Sequence, residues 1–218
     1  MTSTTVAIQT LSISLSLLGA GGIASLSLFN VPTLQSQPAS RSLPSIRWLF
    51  SRGSHIFPQA AIISSSGFLY LAYATLPLQS RGISGLLHFA AKSGRVQGYL
   101  AAAVLTFGIA PFTALMVPTN FELIGMNEKK GGARSERSAR EGSGTRPGGR
   151  SAEESVDGKG DVNEFTDLSV PQGKTTKDTS EAEDEEVRRL LDKFGKMNAV
   201  RAVLMASGGV MGLLTALA

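Results

Sequence analysis

The sequence predicts an all-α fold: an integral membrane four-helix bundle with a long disordered hydrophilic loop between helices 3 and 4. One observation behind this prediction is charge segregation. All 17 Asp and Glu side chains lie between Glu122 and Asp192 of the 218-residue chain, whereas a soluble domain scatters acids over its surface. The other observation is four apolar stretches of about 20 residues each, the length needed to cross a hydrocarbon core of about 30 Å.

A membrane domain is predicted over residues 1–128, with transmembrane helices at about 6–28, 57–78 and 96–117. Serine and glycine are frequent in these stretches, and small side chains let membrane helices approach closely. The first stretch contains GAGGIAS, which is typical of a processing site, so a cleaved signal peptide stays open as an alternative. We predict a retained helix, because no basic residues precede the apolar region.

Residues 129–182 form a predicted disordered charged loop. Gly, Ser, Arg and Glu dominate its first part, and such a composition offers little apolar surface to offset the entropy of ordering. A solvated linker is one interpretation of this loop. Binding of its basic part to anionic lipid headgroups is the alternative.

The last predicted region, residues 183–218, consists of an amphipathic lead-in and transmembrane helix 4 at about 197–218. Acidic residues at its start suit a helix N-terminus. Helical spacing then predicts one apolar face in the lead-in, made of Val187, Leu190, Leu191 and Phe194.

Polar side chains gather at one end of the predicted spans. The third span ends at Pro118, Thr119 and Asn120, and the fourth begins near Asn198 and Arg201. The long loop joins these two spans, so we expect the two groups at the same depth. Other polar and aromatic residues flank the start of the second span on that side: Arg47, Trp48, His55 and Gln59. We therefore predict a polar pocket near one membrane interface.

Each of these residues can also be explained by a structural role that needs no functional site. Arg201 lies about four residues inside its span and could extend its guanidinium to the headgroups. Trp48 could be an interfacial aromatic residue, and Asn120 could cap the helix end. Pro111 and Pro118 could simply bend the third span.

The charges of the loops bear on topology and location. Basic residues favour the first and third loops as cytoplasmic. We expect a multi-pass integral protein of an endomembrane, with the lipid bilayer as a partner and no nucleic acid. No Cys and no Asn-x-Ser/Thr sequence is present, so neither disulfides nor N-glycans indicate a secreted product.

Four motifs carry a family resemblance: RWLFSRG, GFLYLAY, GIAPFTALMVPTNFELI and LLDKFGKMNAVRAVLMASGGVMGLL. Together they resemble the fungal anthrone oxygenases, small four-span membrane proteins of polyketide pathways that belong to a wider family of uncharacterised function. The most specific parts are PFTALMVPTN and KMNAVRAVL. The hydrophilic stretch from about Lys129 to Ser180 departs from the family, whose corresponding loop is short.

The resemblance implies a membrane-bound monooxygenase that converts an anthrone-type polyketide to an anthraquinone with molecular oxygen. It also implies that the reaction uses no flavin, haem or metal. Other enzymes of the polyketide pathway are possible partners. The composition agrees with a cofactor-independent route. The chain lacks Cys, its two His are predicted on opposite sides of the membrane, and it has no Gly-rich dinucleotide motif after a strand.

Roles follow for the residues of the predicted pocket. The candidate catalytic residues are Arg201, Asn120 and Asn198, which would hold a developing oxyanion, and His55, which would act as the base. The candidate substrate-binding residues are Trp48, Thr119, Pro118 and Gln59.

A different class of function stays open. A small membrane protein with a long charged loop could be a non-catalytic anchor or assembly protein that acts through that loop. A transporter is less favoured, because the spans offer no intramembrane acid and no visible inverted repeat.

Overall fold

The structure of the chain is a computed structural model that describes residues 2–141 and 150–218. The described residues form helices and connecting segments, with no strand among them. Four helical stretches are long and apolar enough to cross a membrane: Ser3–Gln35, Ala39–Ala74, Gly94–Lys129 and Glu181–Leu217. The predicted all-α fold class with four spanning helices is confirmed.

The first spanning stretch consists of three consecutive pieces: α1 (Ser3–Ser25), a π-helical turn (Leu26–Asn30) and α2 (Val31–Gln35). The helices that follow are α3 (Ala39–Ala74), α4 (Ile83–Ala90), α5 (Gly94–Phe107) and α6 (Ile109–Lys129). The remaining helices are the short α7 (Glu136–Arg140) and α8 (Ala152–Asp157) and the long α9 (Glu181–Leu217).

The third spanning stretch is interrupted once, at Gly108, between α5 and α6. Pro111 explains the position of this break. A proline has no backbone N–H, so the carbonyl of Phe107 loses the donor that a regular helix would supply. Pro118 lies inside α6 without ending it.

The chain divides into two compact units built from non-consecutive segments. The first unit contains Met1–Ser25, Ile56–Ala114 and Asn198–Ala218, and the second contains Leu26–His55 and Leu115–Met197. The domain boundaries predicted from the sequence, after residues 128 and 182, stay a prediction.

The first unit packs through small side chains. One buried apolar cluster joins α1, α3, α6 and α9: Ala20, Ile23, Ala61, Ile109, Ala202 and Met205. Glycines allow the close approach that this packing needs. A Cβ atom on Gly208 would come within 2.9 Å of the Ala102 carbonyl oxygen, and one on Gly212 would overlap the Phe68 ring.

The second unit has a core that includes the lead-in of α9. All four residues of the predicted apolar face are buried, which confirms that face: Val187, Leu190, Leu191 and Phe194. The ring of Phe194 meets the ring of Phe50 edge-on, with 5.1 Å between their centroids. Such aromatic pairs contribute beyond the area that they bury.

The disorder predicted for residues 129–182 is not confirmed. Of this range, residues 142–149 lie outside the described part of the chain. The rest contains α7 and α8. The side chain of Ser151 accepts a hydrogen bond from the Glu154 N–H while the Glu154 carboxylate accepts one from the Ser151 N–H, so α8 begins with a complete capping box.

Candidate functional site

Asn198 and Arg201 lie one helical turn apart at the start of the α9 segment in the first unit. The Arg201 guanidinium donates a hydrogen bond to Asn198 Oδ1 at 3.0 Å. Asn198 Nδ2 in turn donates to the backbone carbonyl of Ile23 in α1 at 2.8 Å. Both side chains are buried. The amide therefore orients the guanidinium inside the first unit, as the predicted shared helical face requires.

Gln59 lies in α3 of the same unit, and its side chain is exposed. The other five candidate residues, namely Trp48, His55, Pro118, Thr119 and Asn120, belong to the second unit. The prediction that all eight residues line one pocket stays a prediction.

Trp48 and Arg52 lie one turn apart on α3. The Arg52 guanidinium carbon lies 5.4 Å from the centroid of the Trp48 ring, which is the geometry of a cation–π contact. The indole N–H of Trp48 donates to the Ser169 carbonyl at 2.9 Å. Trp48 therefore connects α3 to the segment that follows α8.

His55 has a carboxylate partner that the sequence did not indicate. Its Nε2 lies 2.9 Å from Glu164 Oε1. The other carboxylate oxygen, Oε2, accepts a hydrogen bond from the Ser51 hydroxyl at 2.9 Å and lies 3.5 Å from the Arg134 guanidinium. The ring of Phe165 is 4.4 Å from the imidazole ring, centroid to centroid. An imidazole with an oriented carboxylate partner is a common arrangement for a general base.

Thr119 and Asn120 lie on α6 next to Pro118. The Thr119 hydroxyl is buried, and neither it nor Asn120 Oδ1 has a hydrogen-bond partner among residues 2–141 and 150–218. Buried polar groups are normally paired, so two adjacent ones in this state mark a place where a polar ligand group would fit. Pro118 itself is exposed.

A buried ionic network lies close to His55 in the second unit, and sequence reasoning missed it. Arg47 donates to the carbonyl and the hydroxyl of Ser155, at 2.8 and 3.1 Å. The Ser155 hydroxyl donates to Glu128 at 2.5 Å, and Arg150 lies 3.5 Å from the same carboxylate. Asp161 joins the network through Arg150, at 3.1 Å.

Within residues 161–167 of the second unit, three carboxylates have lowered pKa values. Burial alone would raise the pKa of Asp161, but the hydrogen bond from Ser138 and the Arg134 charge lower it below its usual value. For Glu164, burial is outweighed by His55 and by Ser51, so its pKa is also lowered. The pKa of Asp167 falls in the same way, because Ser135 and Ser169 donate to it. All three groups are therefore ionised at neutral pH.

A groove of about 450 Å³ in the first unit lies between α5 and α9. Its lining is mostly apolar and comes from the N-terminal half of α5 and the last turns of α9: Gly94, Arg95, Gln97, Gly98, Ala101, Met211, Leu214, Thr215 and Ala218. Arg201 is ten residues before Met211 on α9 and does not line this groove. Over the described residues, no group of three or more His, Asp and Glu lies close enough to hold a metal ion.

Four helices long and apolar enough to cross a membrane assign the chain to the multi-pass helical membrane proteins. A narrower assignment comes from the comparison with family models. Residues 47–147, a little under half of the chain, match the family described as anthrone oxygenase, so the anthrone oxygenase family predicted from the sequence is confirmed over this region. The family domain indicates oxygenase activity on an anthrone-like substrate with oxygen. The curated proteins and the solved structures gave no match.

Proposed function

We propose that the protein is a membrane-bound, cofactor-independent oxygenase that converts an anthrone-type polyketide to an anthraquinone with molecular oxygen. The observation that carries the proposal is the match of residues 47–147 to the anthrone oxygenase family. Four helices able to cross a membrane support a membrane location, where both an apolar ring system and oxygen concentrate. An endomembrane of a cell with a polyketide pathway is the location that we propose.

The chemistry balances without a cofactor. A base removes one proton from the central methylene carbon of the anthrone, and the resulting anion is delocalised onto the ring oxygen. This electron-rich anion reduces oxygen and forms a carbon–oxygen bond, which gives a peroxide at the central carbon. Return of the proton and loss of water, with cleavage of the O–O bond and removal of the second methylene proton, gives the anthraquinone. One anthrone and one oxygen molecule thus yield one anthraquinone and one water.

Arg201 is the residue that we propose to stabilise the anion. A positive charge held in apolar surroundings interacts strongly with an oxyanion, because the local dielectric is low. The 3.0 Å bond from Arg201 to Asn198, and the 2.8 Å bond from Asn198 to the Ile23 carbonyl, support this role. With its Nδ2 donating to Ile23, Asn198 acts as a positioning residue for the guanidinium.

His55 is the candidate base, and Glu164 supports it. With Nε2 2.9 Å from the carboxylate, Nδ1 is the ring nitrogen left to accept the substrate proton, and the carboxylate would stabilise the imidazolium that forms. Asn120 is proposed to help Arg201 hold the oxyanion, by donating from its Nδ2. Thr119 is proposed to contact a phenolic group of the substrate, which would satisfy its buried hydroxyl. Trp48, Pro118 and Gln59 complete the proposed substrate contacts.

The test is oxygen uptake by membranes that contain the protein, with emodin anthrone as the substrate and spontaneous oxidation as the background. We expect uptake above background in the wild type and a loss of about 100-fold in the Arg201→Ala variant, the size typical of a lost oxyanion donor. The matched control is Arg189→Ala, an exposed arginine on the same helix that pairs with Glu186.

Treatment with a chelator should leave the uptake unchanged. If wild-type protein that is correctly inserted does not exceed background, the oxygenase proposal is wrong for this substrate. The favoured function would then be the non-catalytic anchor or assembly protein, which acts through residues 129–182. Equal activity in the Arg201→Ala and Arg189→Ala variants would remove Arg201 from the mechanism.

A further inference from the structure

Residues 163–170, hereafter the docking segment, present their apolar side chains outward and their acids inward. Phe165 is 70% exposed and Leu168 is 89% exposed, and Val170 is exposed as well. In contrast, Asp167 is only 2% exposed and Glu164 is half-buried. A loop that faces water would have the opposite arrangement, because apolar burial is favourable and carboxylates are strongly hydrated.

The inward carboxylates are fully engaged. Asp167 Oδ1 accepts hydrogen bonds from the Ser169 N–H at 3.0 Å and the Ser169 hydroxyl at 2.7 Å, while Oδ2 accepts one from Ser135. Glu164 is held by Ser51 and lies 2.9 Å from His55. Both carboxylates of the segment are thus held by donors within the second unit, and the outer surface is left apolar.

The exposed polar residues of the docking segment are satisfied locally. Asn163 Oδ1 accepts from the Phe165 N–H at 3.0 Å, and the Thr166 hydroxyl lies within hydrogen-bond distance of the Asn163 carbonyl. A turn that satisfies its own polar groups loses little when water is removed from its outer face. The outer face of the segment can therefore lose water without leaving these two groups unpaired.

The docking segment is attached to α3 at the level where the apolar run of that helix begins. Trp48 bonds to the Ser169 carbonyl, and the Phe165 ring packs 4.4 Å from the His55 ring. His55 directly precedes the apolar sequence IFPQAAII, within a helix long and apolar enough to cross a membrane. Tryptophan at such a boundary is typical of the interface between headgroups and acyl chains.

We propose that Phe165, Leu168 and Val170 form a lipid-docking surface that inserts into the interfacial region of the bilayer. Phenylalanine and leucine side chains partition favourably into this region. The lipid bilayer fits better than a soluble partner, because the segment is fastened beside the start of a membrane span and carries no free charge to pair with a partner.

The test uses the full-length protein in liposomes and site-directed spin labels. The natural chain has no Cys, so single variants report from one position each. We would label Phe165→Cys and Leu168→Cys, and use Lys174→Cys, an exposed position outside the segment, as the matched control. Collision rates with oxygen, which concentrates in lipid, and with a water-soluble nickel complex give the depth of each label.

We expect labels at 165 and 168 to collide more with oxygen and several-fold less with the nickel complex than the label at 174. Collision rates at 165 and 168 equal to those at 174 would place the segment in water and overturn the proposal. Protection from both reagents would also overturn it, since a second copy of the chain would then cover the surface. The readout does not involve turnover, so it is independent of the proposed oxygenase function.

Discussion

The two units solve the problem of burying polar groups in opposite ways. The first unit contains no Asp or Glu side chain, and most of its buried polar side chains are Ser or Thr. Several of these hydroxyls bond to backbone carbonyls, such as Ser16 to Met205 at 2.8 Å. The second unit buries full charges of both signs, including Arg47, Glu128 and Asp161. Close helix packing therefore stabilises the first unit, whereas pairing of buried charges stabilises the second.

This difference has an energetic meaning. Small side chains in the first unit let the helices gain dispersion contacts, which weaken steeply with distance. A larger side chain at such a contact should therefore lower the stability of this unit. In the second unit each buried charge depends on a specific partner, and the loss of that partner leaves an uncompensated ion. The two units should therefore respond to different perturbations.

The largest effect should come from removing one buried charge of the second unit. Asp161→Ala leaves Arg134 and Arg150 facing each other without their shared carboxylate, which lies 3.8 and 3.1 Å from them. We expect a loss of about 3–5 kcal/mol in the stability of this unit. Faster trypsin cleavage within residues 150–182, measured as a function of denaturant, checks this. Unchanged cleavage would mean that the network contributes no stability.

A smaller effect should follow from added volume in the first unit. A Cβ atom on Gly208 would lie 2.9 Å from the Ala102 carbonyl oxygen, a backbone atom that cannot easily move. Gly208→Ala should therefore cost about 1–3 kcal/mol, seen as a lower thermal midpoint in detergent. The control is Gly21→Ala, because a Cβ atom there would contact nothing within 4 Å. Equal midpoints in the two variants would contradict the role of close packing.

Acidification should destabilise the second unit but not the first, and by less than these substitutions do. The pKa values of Asp161, Glu164 and Asp167 are lowered in the folded protein, so these groups add stability above their unfolded pKa values of about 4. That stability is lost as the pH falls from about 4 through the lower folded pKa values. We expect the hydrogen-exchange protection factors of residues 150–170, taken relative to the intrinsic rate at each pH, to fall in this range. The protection factors of the first unit should not fall, because it has no acidic side chain.

The smallest effect should come from an exposed ion pair of the second unit. Lys174 and Asp178 lie 2.5 Å apart, but both are exposed to solvent. Asp178→Ala should leave the trypsin cleavage of residues 150–182 unchanged, because exposed pairs gain little over hydration. A loss comparable to that of Asp161→Ala would show that charge itself, rather than buried charge, holds the unit together.

The sequence predicted what depends on local patterns. Apolar length predicted four spans, and helical spacing predicted the buried face that includes Leu190 and Phe194. The three-residue spacing of Asn198 and Arg201 predicted their shared face, and a direct hydrogen bond joins them. Each of these features is set by residues within one or two helical turns of each other.

The ionic network of the second unit could not be predicted in the same way. Arg47 and Ser155 are separated by 108 residues, and no local pattern relates them. Composition suggested disorder for 129–182, because composition cannot show that opposite charges meet and become buried. One local sign was present: Ser151 and Glu154 have the spacing of a capping box, which indicates a helix start in that segment.

The separation between Arg47 and Ser155 also sets an order of events during synthesis. A ribosome that adds about 5–20 residues per second needs roughly 5–20 s to extend the chain by the 108 residues from Arg47 to Ser155. Throughout that interval the two Ser155 oxygen atoms that accept from Arg47 have not yet been synthesised, so water must hydrate the guanidinium in their place. The polar core of the second unit is therefore completed late, and a nascent chain that ends before Ser155 leaves Arg47 without those acceptors.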